Sequence, residues 1–241
     1  LFISTVFLAS CSTTNLQFEQ VEFEETERTQ EITEEILEIK NLDNTIFDTA
    51  SFKSTEWDEI NYALFKPSQQ KPNKTYPLVV VFHGSAEIGN DNKSQLKLFQ
   101  KLFASPDIQE EYPAYVLAPQ FSTRSSDYKM DTIKNILYST PRACLNTVFE
   151  LIDSLILNLN IDSKRVYVVG YSMGASTVIN SLSIKPELFA AGISISGIPQ
   201  FDNLDALSEI PIWLIHGTSD TVNPIASDEQ LYQEIGANIR F

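Results

Sequence analysis

Glycine is scarce in this chain, with eight in 241 residues, and histidine and cysteine are scarcer still at two each. Basic residues are outnumbered, 17 Lys and Arg against 32 Asp and Glu, for a net charge of -15. That balance excludes a nucleic-acid partner, because phosphate binding needs clustered Lys and Arg. No glycine-rich loop has the spacing that cradles phosphates, so a nucleotide cofactor has no support. A metal has little more. Glu87, Asn90 and Asp91 share a polar loop, but acidic residues there are ordinarily solvated or bonded to backbone. No cofactor is expected.

Apolar residues make up 43% of the chain and aromatics 11%, which argues for a globular protein rather than a disordered one. The length suits one α/β domain with a sizeable core. The negative charge is unevenly spread. Residues 17–59 hold fourteen acids against Arg28, Lys40 and Lys53, a net of -11, and the remainder carries a net of only -4. Such a front end reads as a solvated face or tether.

The chain opens with "LFISTVFLASC". This apolar run is too short to span a bilayer but suits the apolar part of a secretory signal. "LAS" before Cys11 resembles the bacterial lipoprotein signal, in which cleavage exposes a cysteine that takes a lipid. The expectation is an exported protein, anchored through Cys11 to a membrane of the bacterial cell envelope. Residues 1–10 are then a signal peptide truncated at its start, and 11–59 a lipidated acidic tether and N-terminal segment. Cys144 has no disulfide partner left and packs as a small hydrophobe.

In "VEFEETERTQEITEEILEIKN", Val21 and Phe23 alternate like a strand, whereas Ile32, Ile36 and Ile39 sit at helical spacing. "INYALFKP" reads as a strand that Pro67 ends. From there strands and helices alternate. "PLVVVFHG" is a strand buried on both faces, a helix follows around Ser94–Phe103, and "AYVLAPQ" is the next strand. Thr140-Pro141 opens a helix that runs to about Leu159, with Cys144, Val148, Leu151, Ile152 and Leu155 inward. "RVYVVG" is a strand, "SMGASTVINSLS" a helix, "AAGISISG" and "IPIWLIHG" two strands, "ASDEQLYQEIG" a helix, and "NIRF" begins a strand. This alternation predicts a mainly parallel sheet between layers of helices.

"GYSMG", Gly170 to Gly174, falls where a strand passes into a helix. A serine there sits on a strained turn that lifts its hydroxyl clear of the sheet, and small neighbours avoid clashes. Ser172 is therefore the candidate nucleophile. A hydrolytic serine also needs donors aimed at the developing oxyanion. The Met173 N–H, at the helix start, is one candidate. The Ser85 N–H, after the His83-Gly84 turn, is the other. His83 at a strand end is placed to brace the loop rather than to act as base.

"FHGSAEIGND", "YVLAPQF", "VYVVGYSMGAS", "PELFAAGISISG" and "IWLIHGTSDTVNP" occur in that order. Together they resemble the α/β-hydrolase superfamily, and more narrowly the bacterial secreted esterases and predicted peptidases related to dienelactone hydrolase and feruloyl esterase. The resemblance covers about residues 60–241 and implies a three-layer α/β sandwich. It also implies a triad in the order nucleophile, acid, histidine, with Asp220 in the acid position. Asp220 could instead only cap the turn before Pro224, and Asp228 and Glu229 are weaker rivals.

The departure is the base. Only His83 and His216 exist, both in "HG" turns and neither at the family position, which follows a later strand. The expectation is a domain truncated at its C-terminus, lacking a final strand and helix, with the triad histidine outside the fragment and little activity in it. The implied activity is serine-dependent cleavage of carboxylic esters, on polysaccharide or small acetylated substrates. A peptidase, or a lipid-anchored binding protein on a hydrolase scaffold, is the alternative. No long insertion separates Gly197 from Ile210, so an open cleft is expected.

Overall fold

A computed structural model describes residues 29–68, 70–236 and 239–241. Cys11 and the Val21/Phe23 alternation lie outside them. The elements are α1 (Gln30–Asn41), β1 (Asp48–Lys53), β2 (Glu59–Phe65), β3 (Tyr76–Phe82), α2 (Leu98–Phe103), α3 (Pro106–Glu111), β4 (Tyr115–Gln120), β5 (Ser126–Asp131) and β6 (Ile136–Pro141). Then come α4 (Cys144–Asn158), β7 (Ile161–Tyr171), α5 (Met173–Ile184), β8 (Ala191–Ile195), α6 (Leu204–Ser208), β9 (Ile212–Ile215), α7 (Ala226–Ile235) and β10 (Ile239–Arg240).

Eight strands form one sheet in the order β1-β2-β4-β3-β7-β8-β9-β10. The β1–β2 and β2–β4 pairs are antiparallel and every later pair is parallel. β3 lies between β4 and β7, so its apolar run is buried on both faces. Leu78, Val80 and Phe82 meet the core under α4, α5 and α7, while Val79 and Val81 join Leu96 and Phe103 on the α2 side. Each such side chain contributes roughly 1.5–3 kcal/mol on burial, which makes β3 the axis of the sheet. On the α2 side of β7, β8 and β9, Tyr167, Ile193, Ile195, Trp213 and Ile215 are half-buried.

The helical spacing of Ile32, Ile36 and Ile39 is realised in α1. Thr29 caps it by accepting the Ile32 N–H, and Glu31 and Lys40 suit the two ends of its dipole. No α1 residue is fully buried. β1, within the acidic front end, pairs along its whole length with β2, so the sheet starts before Ile60.

Two expectations need correction. Thr140-Pro141 does not open a helix. These residues end β6, where they pair with Asp127 and Ser126 of β5 in a two-stranded hairpin, and α4 starts only at Cys144. A proline at a strand end costs no ladder bond, so the same residue serves either reading. The helix expected from Ser94 begins at Leu98, because Asp91 accepts the N–H groups of Lys93 and Ser94 and the Ser94 hydroxyl, folding those residues into a turn. Cys144 is half-buried against the core, and burial pushes its thiol up to about 11.

Candidate active site

The parallel strands bring their C-terminal ends to one edge. Phe82 is in register with Gly170, Tyr171 with Ile195, and Ile195 with Ile215. The loops after β3, β7, β8 and β9 therefore meet there, and they carry Ser85, Ser172, Ser196 and Asp220.

Ser172 has φ 54° and ψ -121°, a backbone conformation costly for any residue with a Cβ. Its N–H donates to the Ile195 carbonyl at 2.9 Å, and its carbonyl accepts the N–H groups of Ala175 and Ser176. Strand β8 and helix α5 thus hold the turn from both sides. The two glycines are required by space. A Cβ on Gly170 would collide with the Gly174 backbone, and one on Gly174 with the Phe82 carbonyl oxygen and, at 2.7 Å, that of His83. The end of β3 therefore lies directly against the start of α5.

That contact also joins the two oxyanion candidates to one frame. Met173 is the first residue of α5, where an N–H has no acceptor within the helix. Ser85 begins a short 3-10 turn to Glu87, capped by Gly84, and is exposed. The ring of Tyr171 covers Gly84, 2.7 Å from where a Cβ would stand. The Tyr171 hydroxyl donates to the Glu87 carboxylate at 3.0 Å. Burial, then the Glu87 charge, pushes this phenol up to about 12.

His83 braces the loop. Nδ1–H donates to the Gly84 carbonyl at 2.7 Å and Nε2 accepts the Phe121 N–H at 2.9 Å. Both nitrogens are committed to a neutral ring, and burial holds it below the ordinary histidine value. His216 is committed differently. Nε2 lies 2.6 Å from the Asn223 carbonyl, which can only accept, so Nε2 carries a proton. Nδ1 lies 2.7 Å from Asp228 Oδ2, with one proton between them. Neither ring presents a free lone pair to Ser172.

Asp220 sits in the loop after β9. Oδ1 accepts the N–H groups of Val222 and Asn223, and Oδ2 lies 3.7 Å from His216 Nε2. The Asn223 backbone N–H bond, opposed by desolvation and aided by Val222, leaves Asp220 below the ordinary carboxylate value, and it is ionised at neutral pH. The loop is tied down at Asn223, whose carbonyl binds His216 and whose side-chain amide donates to the Ser196 carbonyl at 2.8 Å. The two rivals are differently employed, since Asp228 is fully buried against His216 and Glu229 is exposed.

Sequence reasoning missed how α5 is held. Met173 through Ser183 are all buried, including Ser176, Thr177, Asn180 and Ser181. The β5–β6 hairpin supplies their partners. Thr177 Oγ1 is 2.6 Å from the Ser125 hydroxyl, Asn180 donates to Ser126 at 2.9 Å, and Ser139 donates to Asn180 at 3.1 Å. Ser176 accepts the Ile198 N–H at 2.8 Å. The signal available was the run of hydroxyl and amide residues in a helix with no polar face.

An eight-stranded, mostly parallel sheet with a strained serine between its central strand and the next helix defines an α/β-hydrolase. Residues 69–240 match the phospholipase/carboxylesterase family, and the chain belongs to it. A bifunctional acetylxylan esterase/xylanase of Neocallimastix patriciarum is 28% identical over 159 residues, 66% of this chain and 21% of that protein. Acetylxylan esterase A of Emericella nidulans is 41% identical over 54 residues, 22% of this chain and 18% of that protein. The chain thus spans about a fifth of these two relatives. A thermostable esterase of known structure superposes with a TM-score of 0.74 at 34% identity, over 81% of this chain and 54% of that one. The S-formylglutathione hydrolase of Staphylococcus aureus, at 14% identity and a TM-score of 0.59 over 81% of this chain and 89% of that one, shares the fold.

Proposed function

We propose that the protein is a serine hydrolase that cleaves carboxylic esters, with acetyl groups on carbohydrate as the favoured substrates. The backbone of Ser172 carries this reading. A serine held at φ 54° between two glycines that admit no side chain is a costly arrangement, and it presents a nucleophile at the edge where four loops meet. The esterase relatives and the family membership support the reaction type.

In this mechanism Ser172 Oγ attacks the ester carbonyl while a histidine removes its proton. The oxyanion receives the N–H groups of Met173 and Ser85. Collapse expels the alcohol, which takes the proton back from the histidine, and water then cleaves the acyl-serine by the same route. Asp220 fixes the tautomer of that histidine. Because His83 and His216 are both committed elsewhere, the base is a histidine outside residues 1–241. The complete protein should hydrolyse p-nitrophenyl acetate and lose that activity in Ser172→Ala. Equal turnover by the variant would end the proposal, and no turnover by either would favour a binding protein on this scaffold.

The protein is further proposed to be exported and lipid-anchored at Cys11, on the strength of "LAS" before that cysteine. Among the described residues no helix is long and apolar enough to cross a membrane. Labelled palmitate should be incorporated by the wild type in a bacterial host and not by Cys11→Ala. Incorporation by both would refute the anchor.

A further inference from the structure

A pocket of about 630 Å³ lies between α1, α2 and the loop that precedes α2, and it reaches the serine turn through Tyr171 and Glu87. Four lysines line it: Lys40, Lys93, Lys97 and Lys101. In a chain of net charge -15, that is four of only 17 basic residues gathered in one place. Among the described residues, none of the four forms an ion pair within 4 Å. Glu87 is the one carboxylate in the lining, and its oxygens are taken by the Tyr171 hydroxyl.

Lys101 is the most informative of these residues. It is only 8% exposed, yet among the described residues the one bond its ammonium makes is to the Lys40 carbonyl, at 2.8 Å. An ammonium has three hydrogens to give. Burial holds this lysine below its ordinary value, with Asp43 opposing and Lys97 adding to the effect, so an anion beside it would restore what desolvation removes. Asn44 also lines the pocket, although its side-chain oxygen is itself buried and accepts no hydrogen bond among the described residues. The pocket therefore asks for an anion.

We infer that this pocket is a substrate subsite for a uronic acid residue, a sugar whose carboxylate meets the lysines. The inference rests on Ser172 as the nucleophile and narrows its substrates to esters on acidic, uronate-bearing glycans. Leu98 and Phe99, half-buried in the same lining, give the sugar ring an apolar surface.

Titration calorimetry with D-glucuronate, D-glucose and sodium acetate tests it directly. Lys93 and Lys97 are exposed, so Lys93→Ala/Lys97→Ala removes charge without opening the core. The chain should bind glucuronate at least about tenfold more tightly than glucose or acetate, and the double variant should lose roughly tenfold, as expected for lost charged contacts. Ser172→Ala should bind glucuronate as the wild type does. No glucuronate binding, equal binding of glucose or acetate, or an unchanged double variant would each overturn the subsite. Failure of the esterase reading would appear elsewhere, as ester turnover that survives Ser172→Ala, with glucuronate affinity untouched.

Discussion

His216 and Asp228 show how a residue can belong to the site without touching a substrate. His216 Nε2 holds the Asn223 carbonyl, and Asn223 holds the loop whose N–H groups fix Asp220. Burial opposes a charged ring, but the Asp228 hydrogen bond and charge, the Asn223 carbonyl and Asp220 together raise His216 above its ordinary value. Burial also raises Asp228, with His216 opposing. The folded state therefore holds the pair's proton more tightly than the unfolded chain does. The resulting stability is full below the ordinary histidine value, about 6.5, and is lost as pH rises through the raised value. The melting temperature of the wild type should thus fall more steeply as pH rises above about 6.5 than that of His216→Gln. Parallel curves would show that the pair contributes no pH dependence. None of this was readable along the chain, because Asp228 and Asn223 reach His216 only once α7 folds back over β9. Ser172, Gly170 and Gly174 were readable, since the turn needs only five adjacent residues.

At the scale of elements, the reading succeeded where local pattern and environment agreed. β3 is apolar throughout because both of its faces are covered, and α5 follows the serine as the strand-to-helix motif requires. It failed at the β5–β6 hairpin. Thr140 and Pro141 carry a helix-start signal, and only the pairing with β5 overrides it. The hairpin matters because it pairs the buried polar groups of α5, the helix whose first residue is the proposed oxyanion donor. Thr177→Val keeps the shape but removes the partner of the Ser125 hydroxyl. A buried group left unpaired costs about 1–3 kcal/mol, so the urea midpoint should drop accordingly with an unchanged slope. A variant as stable as the wild type would mean that the hairpin does not depend on this network to hold α5.

For the whole molecule, the charge map and the fold lead to one view of function. The negative charge is concentrated in residues 17–59, whereas the pocket beside the serine turn gathers lysines. The fold places that pocket and the four loops at the same edge of the sheet. The order of motifs made the fold class legible, because each lies at a strand end that the parallel sheet brings together. The lysine pocket was not legible, since Lys40 of α1 and Lys101 of α2 are sixty-one residues apart and meet only through packing. The bracing role of His83 was legible from its place at a strand end, whereas the bonds of His216 to Asp228 and Asn223 were not.

The central claim is that Ser172 is an activated nucleophile. The complete protein should be treated with a fluorophosphonate and the modified peptide identified by mass spectrometry. A single adduct on Ser172, absent in Ser172→Ala, is the predicted result. An adduct on another residue, or labelling that survives the substitution, would contradict it.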